Sequence, residues 1–259
     1  MPELPDVEGF RRRLQRQGRG RVVEDVIVID SGVLRNATAP ALRRALRGHR
    51  LGSPTRHGKW LTAPVDGTAL VFHFGMTGEV LWAPSAEGRQ PHDRVVLVLD
   101  RGELRYRDQR KLQGIWVARG DDVRRIQGRQ GPDALDIGAA ELRDLLCRRR
   151  GELKPALMDQ ALVAGLGNLL VDEILWQARI DPRRAAASLT DAEHARLHRG
   201  LRRVLSVSVR EGCVPQRPGW LTSVRARDDA ACPRCGRSLE RRQTGGRSSY
   251  ACPHCQRPP

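Results

Sequence analysis

Pro2 and Glu3 pair a secondary amine with a carboxylate at the start of the chain. When the initiator methionine is removed, as a small second residue such as proline generally permits, Pro2 becomes the amino terminus. Its nitrogen can then attack an aldehyde-like carbon and give a cationic imine. A free α-amino group titrates at about 7.7 to 8, so an appreciable fraction is neutral at physiological pH. Glu3 stands beside it as a proton donor and acceptor. The other reading of these residues is an exposed Pro-rich terminus that leads into a helix, and the dipeptide taken alone favours that one. The remainder of the chain decides between them.

A second chemical signal lies at the other end. Cys232 and Cys235, then Cys252 and Cys255, form two CxxC pairs with sixteen residues between them, the spacing of a four-thiolate zinc ribbon. Each pair supplies two ligands from a tight turn, and a bound ion holds the ends of the intervening hairpin together. Disulfides are the competing explanation, disfavoured in a cytosolic chain. His254 is surplus to a tetrahedron that four cysteines complete. Cys147 and Cys213 lack a partner motif and read as ordinary structural thiols.

These groups need elements to position them. Across 259 residues, enough for two modest domains, Lys and Arg outnumber Asp and Glu by 46 to 30, a formal charge of +16. A polyanionic partner follows, and nucleic acid fits better than membrane. No apolar run is long enough to span a bilayer, and the N-terminus lacks the apolar core of a signal peptide, so a cytoplasmic protein is expected. Pro5 suits a first helical turn, with Val7, Phe10 and Leu14 recurring on one face until Gly18. Strand character follows in VEDVIVID, in KWLTAPV and ALVFHFGM around Asp66-Gly67, and in RVVLVLD and ELRYRD around Arg101-Gly102. One helix, capped by Thr38 with Leu42 and Leu46 facing inward, interrupts them. Residues 1–130 therefore read as an antiparallel β-sandwich.

From residue 131 the period changes. Leu142, Leu145 and Leu146 mark a helix, Leu157 to Leu162 a second, and Leu170, Ile174 and Leu175 a third, after the turn Gly165-Leu166-Gly167-Asn168. Thr190 and Glu193 form a capping box for a helix carrying Leu197, Leu201, Val204 and Leu205. The expected organisation is α+β and multidomain: the sandwich, a helical domain over 131–225 and a β-hairpin zinc ribbon over 226–259. Helices joined by a glycine turn suit a DNA backbone clamp, although such pairs also occur in proteins that bind no DNA.

The blocks PELPDVE, HGKWL, FGMTG, RYRDQRK, KPALMDQALVAGLGNLLVDEIL and the terminal cysteine ribbon together resemble the formamidopyrimidine-DNA glycosylase and endonuclease VIII family. They run from end to end of the chain in the family's order. The resemblance implies a β-sandwich, a helix-two-turns-helix domain, one structural zinc, and excision of oxidised or ring-opened bases followed by strand cleavage. It implies duplex DNA with a damaged base or an abasic site as partner, and a monomer at work on the bacterial nucleoid. Pro2 would attack the sugar C1′, and Glu3 would move the protons. Lys59, counted with this catalytic pair, would hold the phosphates flanking the lesion together with Asn168 and Arg247. Met76, Arg110 and Leu112 fall at the wedge that fills the space of an everted base. Lys154 takes a lesion-side place and Glu173 a turn-supporting one.

The sequence also departs from the family's pattern. Leu112 stands where phenylalanine is common, Gln113 where glycine is expected and Asp6 where glutamate is usual, while the segment from Gly212 to Cys232 is short for a lid over 8-oxoguanine. These departures imply a broad lesion preference. Retention of Pro2, Glu3, Lys59, Asn168 and Arg247 favours an enzyme over a catalytically reduced binder of damaged DNA.

Overall fold

The computed structural model describes residues 2–84 and 88–257. They form two compact units, one of Pro2 and Asp6–Arg129, the other of Glu3–Pro5 and Gln130 onward.

Helix α1 (Leu4–Gln17) belongs to the first unit from Asp6 on, buries Val7 and Leu14 and closes where Gly18 N–H donates to Leu14 O. Eight strands follow: β1 (Val23–Val28), β2 (Thr55–His57), β3 (Trp60–Val65), β4 (Thr68–His73), β5 (Glu79–Ala83), β6 (Asp93–Leu99), β7 (Glu103–Arg107) and β8 (Gly114–Ala118). They make two antiparallel four-stranded sheets, ordered β1-β6-β7-β5 and β2-β3-β4-β8. The expected hairpins are both present, β3–β4 through Asp66-Gly67 and β6–β7 through Arg101-Gly102. Leu61, Val65, Phe72, Phe74, Val95, Leu97, Leu104 and Tyr106 form the shared core, in the alternation expected of a sandwich. Helix α2 (Ala39–Leu46) starts at Thr38, whose hydroxyl accepts from Ala41 N–H, and buries Leu42 and Leu46. A further helix, α3 (Asp122–Gln127), and the strands β2, β5 and β8 are added to the expected elements.

The second unit is helical: α4 (Ala139–Cys147), α5 (Leu153–Met158), α6 (Asn168–Ala178) and α7 (Asp191–Glu211) precede a hairpin of β9 (Glu240–Thr244) and β10 (Arg247–Ala251). Thr190 and Glu193 form the expected capping box on α7. Leu170, Val171, Ile174 and Leu175 on α6 share a core with Leu197, Leu201, Val204 and Leu205 on α7, and Leu4 belongs to the same cluster. The helix expected over 157–162 lies earlier in the chain. It ends at Met158 because the Asp159 carboxylate accepts from Ala161 N–H and folds the next residues into a turn. Cys147 and Cys213 are exposed. No helix among the described residues is long and apolar enough to cross a membrane.

Candidate active site and DNA-contacting residues

Glu3 is held by the start of α6. It is 1 % exposed, and its Oε1 and Oε2 accept from Leu169 N–H at 2.8 Å and Leu170 N–H at 3.1 Å. The first N–H groups of a helix have no partner of their own and carry the positive end of its dipole, so a carboxylate is the side chain that suits them. Two glycines make the approach possible. A Cβ on Gly167 would stand 2.3 Å from Glu3 Cδ, and one on Gly165, whose φ is +109°, would stand 2.4 Å from Leu4 Cδ1. Leu4 N–H donates to Gly165 O at 3.1 Å. The glycine turn thus fixes both the backbone and the side chain that directly follow Pro2, which is half-buried. Met1, on whose removal the amine depends, lies outside the described residues.

Lys59 sits in the tight β2–β3 connection. That turn is braced by Arg56, which donates to Gly58 O at 2.9 Å and to the Glu8 carboxylate at 3.3 Å. Burial alone would raise the Glu8 pKa, but hydrogen bonding to Arg11 and the charges of Arg11, Arg56 and Arg12 hold it below the usual range. Beside Lys59 is His73, a residue the sequence reading passed over as one more strand position. Burial, reinforced by the Lys59 charge, pushes its pKa down to about 4. Its Nδ1 accepts from Gly75 N–H at 3.2 Å, which fixes a neutral ring with its proton on Nε2.

Met76, Arg110 and Leu112 come together in the first unit. Met76 is 38 % exposed and Leu112 51 %, and Arg110 Nη1 donates to Met76 Sδ at 3.0 Å. Beneath them Asp108, 1 % exposed, accepts from Thr77 Oγ1 at 2.6 Å, Arg110 N–H at 3.1 Å and Tyr106 O–H at 3.2 Å. This carboxylate ties the Met76 turn to the Arg110 loop.

In the second unit, Lys154 is fully buried. Its ammonium donates to Asp172 Oδ1 at 2.7 Å, Ser249 Oγ at 2.7 Å and Ser248 O at 2.9 Å, which uses all three of its protons. Desolvation pulls its pKa down against the attraction of Asp172, and pushes that of Asp172 up. Arg225 also donates to Asp172 and lies over the Tyr250 ring at 4.6 Å. Lys154 thus ties α5, α6 and β10 together from inside. Arg247 opens β10 and is exposed. Asn168 opens α6, and its buried Oδ1 has no hydrogen-bond partner. Glu173 accepts from Thr222 N–H at 3.0 Å and from Gln177 Nε2 at 2.8 Å, so it supports the segment after α7 as well as its own helix.

The Sγ atoms of Cys232, Cys235, Cys252 and Cys255 all lie within 4.8 Å of one another. Four thiolates converging from two knuckles are the donor set of one tetrahedral structural zinc. Trp176 Nε1 donates to Cys232 Sγ at 3.4 Å. Buried Gln256 accepts from Cys252 N–H at 3.0 Å and donates to Ile180 O at 2.9 Å, which ties the ribbon to the end of α6.

Residues 1–115 match the formamidopyrimidine-DNA glycosylase N-terminal domain, residues 130–216 the formamidopyrimidine-DNA glycosylase H2TH domain and residues 231–258 the zinc finger found in FPG and IleRS. The formamidopyrimidine-DNA glycosylase of Thermus thermophilus is 38% identical over 275 residues, covering 99% of this chain and 98% of that one. Its counterpart in Laribacter hongkongensis is 36% identical over 273 residues, covering 99% and 100%. Among solved structures, the Lactococcus lactis enzyme bound non-covalently to DNA containing an AP site matches with a TM-score of 0.90 at 28% identity, over 99% of this chain and 100% of that one. With matches that run from the first domain through the zinc finger, the chain belongs to the formamidopyrimidine-DNA glycosylase family.

Proposed function

We propose that this protein is a DNA glycosylase of base excision repair that removes oxidised or ring-opened bases through an imine on Pro2 and then cleaves the strand as an AP lyase. The observation that carries the proposal is the Glu3 carboxylate, fixed by two N–H groups at the start of α6 one residue after the candidate nucleophile. The neutral Pro2 nitrogen attacks C1′ of the damaged nucleotide, and the base departs with the electrons of its glycosidic bond and gains a proton. Ring opening leaves a cationic imine between Pro2 and the sugar. That cation acidifies C2′–H, whose loss expels the 3′ phosphate. Glu3 shuttles protons in these steps, and its fixed position means that no reorientation is needed at the moment of transfer.

Lys59 and Asn168 supply phosphate contacts from their own units, Asn168 through its amide at a helix start, and Arg247 offers a bidentate fork. Met76, Arg110 and Leu112 fill the stack when the base is everted. The zinc holds the ribbon that carries Arg247. The protein acts as a monomer on duplex DNA in the bacterial cytoplasm, at the nucleoid.

Borohydride trapping on duplexes that each carry one defined lesion tests the reading. A covalent adduct at Pro2, absent in Pro2→Gly and in protein that retains Met1, is the expected result. Protein with a verified Pro2 terminus that binds these duplexes and gives no adduct and no excised base would identify a non-enzymatic binder of damaged DNA instead.

A further inference from the structure

Leu112 is held out toward solvent with half its surface exposed, an arrangement that gains nothing in the free protein. Something has to keep it there. Arg35, 77 residues earlier in the chain, donates from Nη2 to Lys111 O at 2.6 Å and to Gln113 O at 2.6 Å. These are the carbonyls of the residues on either side of Leu112. Arg35 is itself fixed. Residues 34–36 run along the outer edge of β8: Leu34 bridges Ile115 in parallel, Arg35 N–H donates to Ile115 O at 3.0 Å, and the Asn36 amide exchanges two hydrogen bonds with the Val117 backbone at 2.8 and 2.9 Å. The approach is close enough that a Cβ on Gly114 would stand 2.0 Å from Val33 O.

A second anchor acts on the same loop. Lys111 takes a left-handed φ of +51°, which is costly for a residue with a side chain, and its ammonium is bound to Asp30 Oδ2 at 2.8 Å. From below, Asp108 holds Arg110 N–H. The loop from Asp108 to Gln113 is thus pinned at its base and around its tip, and Leu112 projects from it.

We infer that Arg35 is a positioning residue for base eversion, holding the Leu112 wedge at its height by clasping the two peptide carbonyls that flank it. The inference rests on the reading of Leu112 as wedge given under Proposed function. Entering a base stack costs a few kcal/mol of unstacking, and a wedge on a loosely held loop would yield to that pressure before it displaced the base. A guanidinium suits the task because its planar N–H groups reach two acceptors in fixed directions, which a lysine ammonium on a flexible stem does less well.

The test compares two single-turnover rates in the full-length protein: excision of a ring-opened purine from a duplex, and strand cleavage at a preformed abasic site in the same sequence, which has no base to evert. Their ratio is measured for the native protein, Arg35→Ala, Arg35→Lys, Leu112→Ala and the Arg35→Ala, Leu112→Ala double variant. We expect the ratio to fall about tenfold in Arg35→Ala and in Leu112→Ala, with the double variant no lower than Leu112→Ala and Arg35→Lys intermediate, since small misplacements of a working group carry large rate penalties. Parallel loss of both rates in Arg35→Ala and Arg35→Lys would reveal a merely structural role and overturn the inference, as would losses that multiply in the double variant. An unchanged ratio in Leu112→Ala would remove the wedge reading and this inference with it, while adduct formation at Pro2 would stand or fall separately.

Discussion

The Glu3 carboxylate occupies the space that a side chain on Gly167 would fill, with Glu3 Cδ 2.3 Å from the position of a Cβ there. Since Glu3 is buried and bonded to Leu169 and Leu170 N–H, a methyl at residue 167 must push it off the α6 start. Gly167→Ala should therefore lower single-turnover base excision about 100-fold, the penalty of misplacing a reacting group by an ångström or so, while leaving DNA binding near native. Glu3→Gln should abolish excision in the same assay. Native rates in Gly167→Ala would show that the carboxylate does not act from this position.

Lys154 offers a contrast between two roles. With all three protons given to Asp172, Ser248 and Ser249, its replacement by methionine leaves the Asp172 carboxylate buried with Arg225 as its remaining charge partner. Removing one member of a buried ion pair costs about 3 kcal/mol, so Lys154→Met should lower Tm by several degrees and weaken DNA binding by loosening the strand that begins at Arg247. A lysine that touched the lesion would instead alter lesion choice at constant Tm. Thermal melts beside a lesion panel distinguish the two.

Zinc removal should act through the same strand. The ribbon is held to α6 by Trp176 and Gln256, both bonded to ligand cysteines, and a knuckle without its ion loses the constraint on its hairpin. Chelation followed by verified loss of zinc should reduce affinity for a damaged duplex to that of Arg247→Ala or below. Full affinity after zinc loss would separate the ribbon from DNA binding.

What the sequence disclosed and what it withheld divide along a physical line. Pro2, Glu3 and the four cysteines stood out because their chemistry is rare and their spacing local. The Thr190 and Glu193 capping box and the Asp66-Gly67 hairpin were legible for the same reason, as devices of three or four consecutive residues. Lys154 showed its position in a motif and nothing of its surroundings, because its partners are 18 to 95 residues away. Arg35 and His73 were invisible in the same sense. One is a surface arginine in a chain full of them, and the other a strand histidine whose meaning comes from the burial of its ring and the charge of Lys59.

His73 gives the chain a pH dependence with a definite sign. Its folded pKa, about 4, lies below the ordinary value near 6.5, so the unfolded chain binds this proton more tightly. Stability should be fully present above about pH 6.5, decline as pH falls toward 4, and lose on the order of 3 kcal/mol from this group across that window. Glu8, whose pKa is lowered, adds a loss that sets in as pH falls through the ordinary carboxylate value and continues below it. Denaturant titrations from pH 7 to 4 should show the decline in the native protein and a shallower one in His73→Gln. Equal slopes would mean that His73 is not buried as a neutral ring.

We expect the segment between α7 and the ribbon to set which lesions are accepted. It is short in sequence, and it is folded back on the helical unit. Trp220 and Leu221 are buried, Thr222 is bonded to Glu173 and to Pro215 O, and Arg225 is bonded to Asp172. Residues spent on such contacts are not available to close over an everted base. If Leu112 is the wedge, it cannot stack as an aromatic side chain would, and we expect the pairing partner left behind to be read weakly. Abasic sites and ring-opened purines or oxidised pyrimidines should accordingly be cut at least as fast as 8-oxoguanine paired with cytosine, with less than about tenfold variation on changing the opposite base, since roughly 1.4 kcal/mol of lost discrimination corresponds to one factor of ten. Single-turnover excision rates on that set of duplexes measure this directly. Strong selectivity for 8-oxoguanine opposite cytosine would show that the segment from Gly212 to Cys232 opens from its packed position to cover the base.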